Sequence, residues 1–332
     1  MVAERWLIVG CGYVGSQVAK LARQSGQVVY ALTRSESRFD DLLAAGVRPC
    51  LGHWLKSDTL HDLPSVDRVL IAVPHRADQA AVEVVAQTMS KPTSLTGDAA
   101  SEKAPAESAS EPHDDFTAEQ THAVGLQNLC AALPAGWQKL IYLSTTGVYG
   151  HSSAEWIDET TPVSPLRTGP RIAVAAERWL AQAGSQPGTL GQVEHCILRL
   201  AGIYGPGRIP LAERLRRGEP LAVSRQGHLN LVHVTDIAHL LCWLLTHDMR
   251  HSMYLLSDGQ PVLRETFYRY LAELCGVAQP EFVEPDAQSA KALRANDKRI
   301  SPARLLAESG YQLQFPDYRS GLVDALAGTV EL

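Results

Sequence analysis

The segment Trp6-Leu7-Ile8-Val9-Gly10-Cys11-Gly12-Tyr13-Val14-Gly15 constrains this chain more than any other. An apolar run of strand length ends in G-x-G-x-x-G and passes into Ser16-Gln17-Val18-Ala19-Lys20-Leu21-Ala22, where apolar residues recur at helical spacing. The order is strand, phosphate turn, helix. Gly10 permits the tight turn, Gly12 lets the backbone approach a pyrophosphate, and Gly15 lets the helix sit close to the strand. Tyr13 and Val14 open a helix whose free N–H groups and dipole attract an anion. A second strand, Gln27-Val28-Val29-Tyr30-Ala31-Leu32, follows at once. The competing reading is a strand-to-helix turn that binds nothing.

Strand-like and helix-like runs alternate through the first half: strand 5–10, helix 13–25, strand 27–32, helix 36–45, strand 47–51, helix 57–62, strand 67–73. Such alternation predicts an α/β fold, a doubly wound parallel sheet with helices on both faces. Residues 75–88 look helical. The stretch 90–115, rich in Ser, Ala, Pro, Glu and Thr and poor in large apolar residues, reads as a mobile surface insertion. Helix 118–132, strand 139–144, helix 172–183 and strand 195–200 follow. Beyond Gly202 the pattern mixes loops with helices at 211–217, 236–246, 264–275 and 301–308, and a strand at 253–256. The expected organisation is a dinucleotide-binding domain from 1–198 plus 229–258, with a smaller substrate lobe from 199–228 plus 259–332.

With 332 residues, 45% hydrophobic and 20% charged, the chain can bury a large core. Its net charge of −6, from 36 acids against 30 bases, argues against a nucleic-acid surface or a polybasic membrane patch. No apolar stretch approaches the ~18 residues of a membrane helix, and the first nine residues lack the features of a signal peptide. A cytoplasmic protein acting on a small molecule is expected. Cys11, Cys50, Cys130, Cys196, Cys242 and Cys275 lack C-x-x-C spacing and read as free thiols, not as a disulfide frame or a metal site.

The end of the second strand bears on cofactor choice. A carboxylate there would bond an adenosine ribose, whereas an arginine accommodates a 2′-phosphate. Thr33-Arg34-Ser35 stands at that turn, with no carboxylate before Glu36. NADP is therefore favoured, with NAD as the alternative.

Several further stretches occur in a telling order: Val124-Gly125-Leu126-Gln127-Asn128-Leu129, Leu143-Ser144-Thr145-Thr146-Gly147-Val148-Tyr149-Gly150, Leu198-Arg199-Leu200-Ala201-Gly202-Ile203-Tyr204-Gly205-Pro206-Gly207, and Val232-His233-Val234-Thr235-Asp236-Ile237-Ala238. Together with the glycine turn and the tail Asn296-Asp297-Lys298-Arg299-Ile300-Ser301-Pro302-Ala303-Arg304-Leu305, the chain resembles the extended short-chain dehydrogenase/reductases, the branch of nucleotide-sugar epimerases and dehydratases. The resemblance implies that Thr145 is the family's Ser/Thr at the end of the fifth strand. It implies that Val73, Ser144 and His53 lie along the cofactor, His53 standing where the family commonly has Asp. The family's Tyr-x-x-x-Lys, spaced to put both side chains on one helix face, maps onto Gly169 and Ala173. Neither can move a proton. Atypical members of the superfamily keep the dinucleotide fold without this pair. Tyr149 and Tyr204 are then the nearest candidate proton donors, each with a packing role as its alternative. Gly202 stands where extended members often carry an Asn that holds the substrate diphosphate. Arg199 reads as a structural ion-pair partner, and His151 and His233 as core or loop residues. In the family, the helices matching 118–132 and 172–183 form a homodimer interface. Two functions stay open: hydride transfer or epimerisation on a small carbonyl or sugar-like substrate, and a catalytically degenerate NADP(H)-binding sensor or scaffold.

Overall fold

The computed structural model describes residues 2–76, 118–150, 153–185, 190, 193–284 and 297–328. The helical run expected at 75–88, apart from its first two residues, and the insertion expected at 90–115 lie outside the described residues, as does His151.

A seven-stranded sheet organises the chain. It contains β1 (Arg5–Val9), β2 (Val28–Thr33), β3 (Arg48–Leu51), β4 (Arg68–Ile71), β5 (Lys139–Thr145), β7 (Glu194–Leu200) and β12 (Met253–Leu256), in the order β12-β7-β5-β4-β1-β2-β3. Every pairing is parallel. The inner strands β1, β4, β5 and β7 are largely apolar on both faces because both faces are covered. Trp6 and Ile8 face one core, which α1 (Tyr13–Gln24) and α6 (Val234–Thr246) cover through Val18, Ala22, Ile237 and Leu241. Leu7 and Val9 face the other, under α3 (Thr121–Ala132) and α4 (Thr168–Ser185), with Leu126, Leu129 and Leu180. Period-2 alternation within one strand thus feeds two cores.

Three local differences from the predicted elements have simple causes. The 36–45 segment opens as a 3₁₀ turn, Glu36–Arg38, capped by Ser35 Oγ accepting from Ser37 N, before α2 (Phe39–Ala44). The helix predicted at 57–62 is one 3₁₀ turn, Ser57–Thr59. The helix predicted at 172–183 begins at Thr168, which brings Gly169 into its first turn.

A separate apolar cluster contains Tyr204, Leu215, Leu221, Phe267, Leu271, Tyr318 and Leu322. It gathers α5 (Ala212–Arg216), α7 (Arg264–Cys275) and α9 (Tyr318–Ala327), a helix capped by Asp317 that the sequence pattern did not predict. Three separate two-stranded sheets accompany it: β8 (Gly202–Tyr204) with β11 (Leu231–His233), β9 (Leu221–Ala222) with β14 (Phe282–Val283), and β10 (His228–Leu229) with β13 (Val262–Leu263). Residues 297–309 pack against elements from earlier in the chain. There β15 (Asp297–Ile300) pairs with β6 (Ser153–Ile157), and Leu305 of α8 (Ala303–Ser309) enters the core beneath the sheet.

Candidate dinucleotide site

Parallel strands bring their C-terminal ends to one edge, where open α/β proteins hold ligands. Thr33, His53, Val73 and Thr145 lie just at or beyond the ends of β2, β3, β4 and β5, and the glycine turn follows β1. Most of the cofactor residues named from the sequence thus share one edge.

The glycine turn is built for close approach. Gly10 has φ +93°, and a Cβ there would stand 2.7 Å from Ala72 O and 2.9 Å from Val73 N, so the turn abuts the chain after β4. A Cβ on Gly15 would come within 2.6 Å of Gly10 O, which is why the helix can start this near the strand. At Gly12 a Cβ would meet nothing within 4 Å. Gly12 is the N-cap of α1 and supplies no side-chain cap to the first-turn N–H groups. An exposed, uncapped helix start with open space before it fits a dinucleotide pyrophosphate.

Tyr13 ties this turn to the segment that follows β8. Its hydroxyl donates to Pro206 O at 3.1 Å, and the Arg208 guanidinium lies over its ring, 5.4 Å from the centroid. Burial pushes the Tyr13 phenol up to about 12, against the pull of Arg208. At the end of β2, Thr33 Oγ1 accepts from Ser35 N and shapes the loop that carries the exposed Arg34. Arg38, which the sequence reading passed over, reaches back to Cys11 O at 3.4 Å. A groove of about 610 Å³ beside α1 and α2 is lined by Cys11, Ser16, Lys20, Arg38 and Asp41 among others. His53 sits beside Thr33 because Gly52 N donates to Thr33 O at 2.9 Å, and its Nδ1 accepts from Leu55 N at 3.1 Å.

At the far end, Thr145 Oγ1 accepts from Gly147 N at 3.0 Å and so caps the short turn Thr146–Val148. Its own O–H finds no acceptor among the described residues. Ser144, named from the sequence as a cofactor residue, turns its side chain the other way. Its hydroxyl is buried and donates to Glu177 Oε1 at 2.5 Å. Glu177 pairs with Arg199, Nη2 to Oε2 at 2.6 Å, both side chains being buried. Arg199 Nη1 donates to Tyr149 Oη at 2.6 Å, and Tyr149 donates to Asp158 O at 3.1 Å. Tyr149 is 2% exposed and its phenol is raised by burial, with Arg199 opposing. Its hydroxyl therefore serves a buried ion-pair network. Arg199 is the structural partner that the sequence suggests.

Tyr204 is fully buried in the cluster that also holds Phe267 and Tyr318. A Cβ on Gly321 of α9 would fall on its hydroxyl, so α9 closes over it, and burial followed by nearby Asp258 raises its phenol strongly. The structure does not bring Tyr204 to Thr145.

Gly169 and Ala173, the positions of the absent pair, are closed to larger side chains. A Cβ on Gly169 would lie 2.7 Å from His75 O, and Ala173 is fully buried among Val148, Tyr149, Val174 and Ile300. Arg171, two residues along, pairs with Glu119 at 3.3 Å.

Sequence reasoning also missed a buried trio. Tyr142 Oη lies 2.9 Å from His75 Nε2 and 2.9 Å from His122 Nδ1, and the two imidazoles stack at 4.8 Å. Burial lowers His75 to about 4 and holds His122 well below its usual value, so both rings are neutral near pH 7. Their wide separation in the chain left no local signal. The six cysteines are free thiols. Among the described residues no helix is long and apolar enough to cross a membrane.

Comparison with known proteins agrees with this architecture. The model of the NAD dependent epimerase/dehydratase family matches residues 6–255. Protein YeeZ of Escherichia coli (strain K12) is 30% identical over 318 residues, covering 93% of this chain and 96% of its own. Human short-chain dehydrogenase/reductase family 42E member 1 is 31% identical over 167 residues, 43% of this chain and 41% of its own. Among solved structures, the Thermus thermophilus UDP-glucose 4-epimerase in complex with NAD superposes with a TM-score of 0.73 at 19% identity, covering 98% of both chains. A functionally unknown conserved protein of Silicibacter pomeroyi DSS superposes with a TM-score of 0.70 at 24% identity, covering 98% of this chain and 99% of that one. The glycine turn, the parallel sheet and a family match running from β1 to β12 place this chain in the NAD dependent epimerase/dehydratase family, within the extended, atypical short-chain dehydrogenase/reductases.

Proposed function

We propose that the protein binds NADP(H) in preference to NAD(H) and uses it for hydride transfer or epimerisation at a small carbonyl or sugar-like substrate. One observation carries this reading. The open helix start at Gly12 and the hydroxyl of Thr145 stand at the ends of β1 and β5, separated in the sheet only by β4. Two strand spacings amount to about 10 Å, the reach from a pyrophosphate to a nicotinamide ring.

In this arrangement the first-turn N–H groups of α1 would hold the pyrophosphate, and Arg34 with Arg38 would meet the 2′-phosphate. When bound, the dinucleotide would supply the hydride chemistry. Thr145, whose oxygen is already held by Gly147 N, directs its proton to the substrate oxygen. The hydroxyls of Tyr149 and Tyr204 are committed to partners within the fold, so solvent supplies the transferred proton.

Fluorescence titration of NADPH and NADH, followed by turnover assays on small aldehydes, ketones and sugar nucleotides, tests the proposal. Tighter NADPH binding and turnover that Thr145→Val abolishes are expected. Equal affinity for the two cofactors would sink the NADP assignment. The second reading, a sensor or scaffold that binds without catalysis, is favoured by the closure of positions 169 and 173. Tight NADPH binding with no turnover on any of these substrates would select it.

The same proposal places the protein in the cytoplasm as a homodimer through helices 118–132 and 172–183. These helices lie side by side on one face of the sheet. Sedimentation of the wild type and of Arg178→Glu, an exposed residue of α4, checks the dimer.

A further inference from the structure

The family's lysine is absent from α4, yet an ammonium still arrives at the turn that Thr145 caps. Lys298, on β15, is 8% exposed and donates from Nζ to Thr146 O at 2.7 Å and to Tyr149 O at 2.8 Å. These carbonyls lie at the end of the Thr146–Val148 turn opposite Thr145 Oγ1. Among the described residues no carboxylate pairs with Lys298. Its charged neighbour is another cation, Arg167, whose guanidinium also approaches the turn, 3.3 Å from where a Cβ on Gly147 would lie.

The strand carrying Lys298 is held from several sides. Asn230 Nδ2 donates to Lys298 O at 2.8 Å, and Asn230 Oδ1 accepts from Ile300 N at 2.7 Å. Ser257 Oγ donates to Ile300 O at 2.8 Å, and β6 lies alongside in parallel register. Ile300, two residues on and so on the same strand face, packs in the cluster that contains Ala173, Val148 and Tyr149. Lys298 thus approaches, from a different element, the turn that Ala173 packs against. A buried ammonium with only carbonyl partners is costly to keep, and a clamp made only for stability could use a neutral donor.

We propose that Lys298 is the positioning residue of this site: from β15 it supplies the positive charge that α4 lacks at position 173, holds the turn beneath Thr145, and biases the nicotinamide end of the site against a positively charged ring. This rests on the dinucleotide reading above. Burial, reinforced by Arg167, lowers Lys298 to about 8, so the group is mostly charged at pH 7.

The test compares Kd for NADP+ and NADPH at pH 7 in the wild type, Lys298→Met, Lys298→Gln and Lys298→Arg, with thermal unfolding alongside. Removing the charge is expected to shift the NADP+ to NADPH affinity ratio roughly tenfold toward NADP+, the size of a partly screened unit charge one short turn away. Lys298→Arg should keep the wild-type ratio. Lys298→Gln retains a donor for one carbonyl and serves if Lys298→Met fails to fold. Equal loss of both affinities in the neutral variants would reduce Lys298 to a structural clamp and overturn the proposal, as would no change at all. A wild type that binds neither cofactor would remove the dinucleotide reading itself. Normal wild-type binding with an invariant ratio would remove only the role of Lys298.

Discussion

The backbone carbonyl of His75 stands 2.7 Å from where a side chain would begin at Gly169. A catalytic tyrosine at that position would have to displace the chain that follows β4. Gly169→Ala is therefore expected to destabilise the fold by about 1–3 kcal/mol through overpacking. Ala173→Lys should cost at least as much, since it buries an ammonium among apolar side chains. Urea unfolding checks both. Full stability of Gly169→Ala would mean that the His75 segment yields.

Gly12 offers a contrasting case. A methyl group there meets no atom within 4 Å, so Gly12→Ala should leave the thermal midpoint unchanged while weakening NADPH binding about tenfold or more by obstructing the pyrophosphate. A variant that binds NADPH as the wild type does would mean that the turn is only a tight connection.

Arg34→Ala should cost about 1–3 kcal/mol of NADPH affinity, the range for a charge-assisted contact, and leave NADH affinity unchanged. Isothermal titration of both cofactors decides the matter. A parallel loss for NADH would assign Arg34 to the fold instead.

The Glu177–Arg199 pair divides stability from chemistry at Tyr149. Tyr149→Phe removes the acceptor for Arg199 Nη1 and is expected to lower stability by about 1–3 kcal/mol with NADPH affinity retained. Arg199→Met, which strands a buried carboxylate, should cost about 3–5 kcal/mol. Denaturant midpoints combined with cofactor titration separate the two roles.

Asp258 is buried, its Oδ2 has no hydrogen-bond partner among the described residues, and burial raises its carboxyl to about 7, with Gln260 N opposing the shift. The folded protein therefore binds a proton that the unfolded chain, with a carboxyl near 3.8, has already released. Stability from this group is fully present below pH ~4 and declines as pH rises toward 7. Asp258→Asn should be more stable than the wild type at pH 8, with the difference shrinking at pH 5. Urea midpoints at the two pH values measure it, and a difference independent of pH would show that Asp258 does not titrate in this range.

Much of this molecule is legible from residue order. Gly10, Gly12 and Gly15, followed by helical spacing from Val14 to Ala22, suffice for the phosphate turn, because the turn is local: Gly10 and Gly15 sit in contacts too close for a Cβ, and Gly12 leaves the helix start open. The alternation of strand and helix likewise predicts the parallel sheet, since period 2 and period 3.6 are local properties. The parallel connections then carry Thr33, Val73 and Thr145 to one edge.

Side-chain partnership is another matter. Ser144 and Thr145 are adjacent, yet pleating sends one to the Glu177–Arg199 pair and the other to the turn at the sheet edge. Tyr204 follows a strand at the expected edge, but whether it faces a ligand depended on α9, more than a hundred residues later, whose Gly321 lets that helix close over it. Lys298 reads as one basic residue in a polar tail, and only the pairing of β15 with β6 brings its ammonium to the carbonyls of Thr146 and Tyr149. Local sequence determined the strands, the helices and the phosphate turn. Contacts between residues far apart in the chain decided which polar groups are spent inside the fold and which face the dinucleotide edge, because burial is a property of the assembled layers.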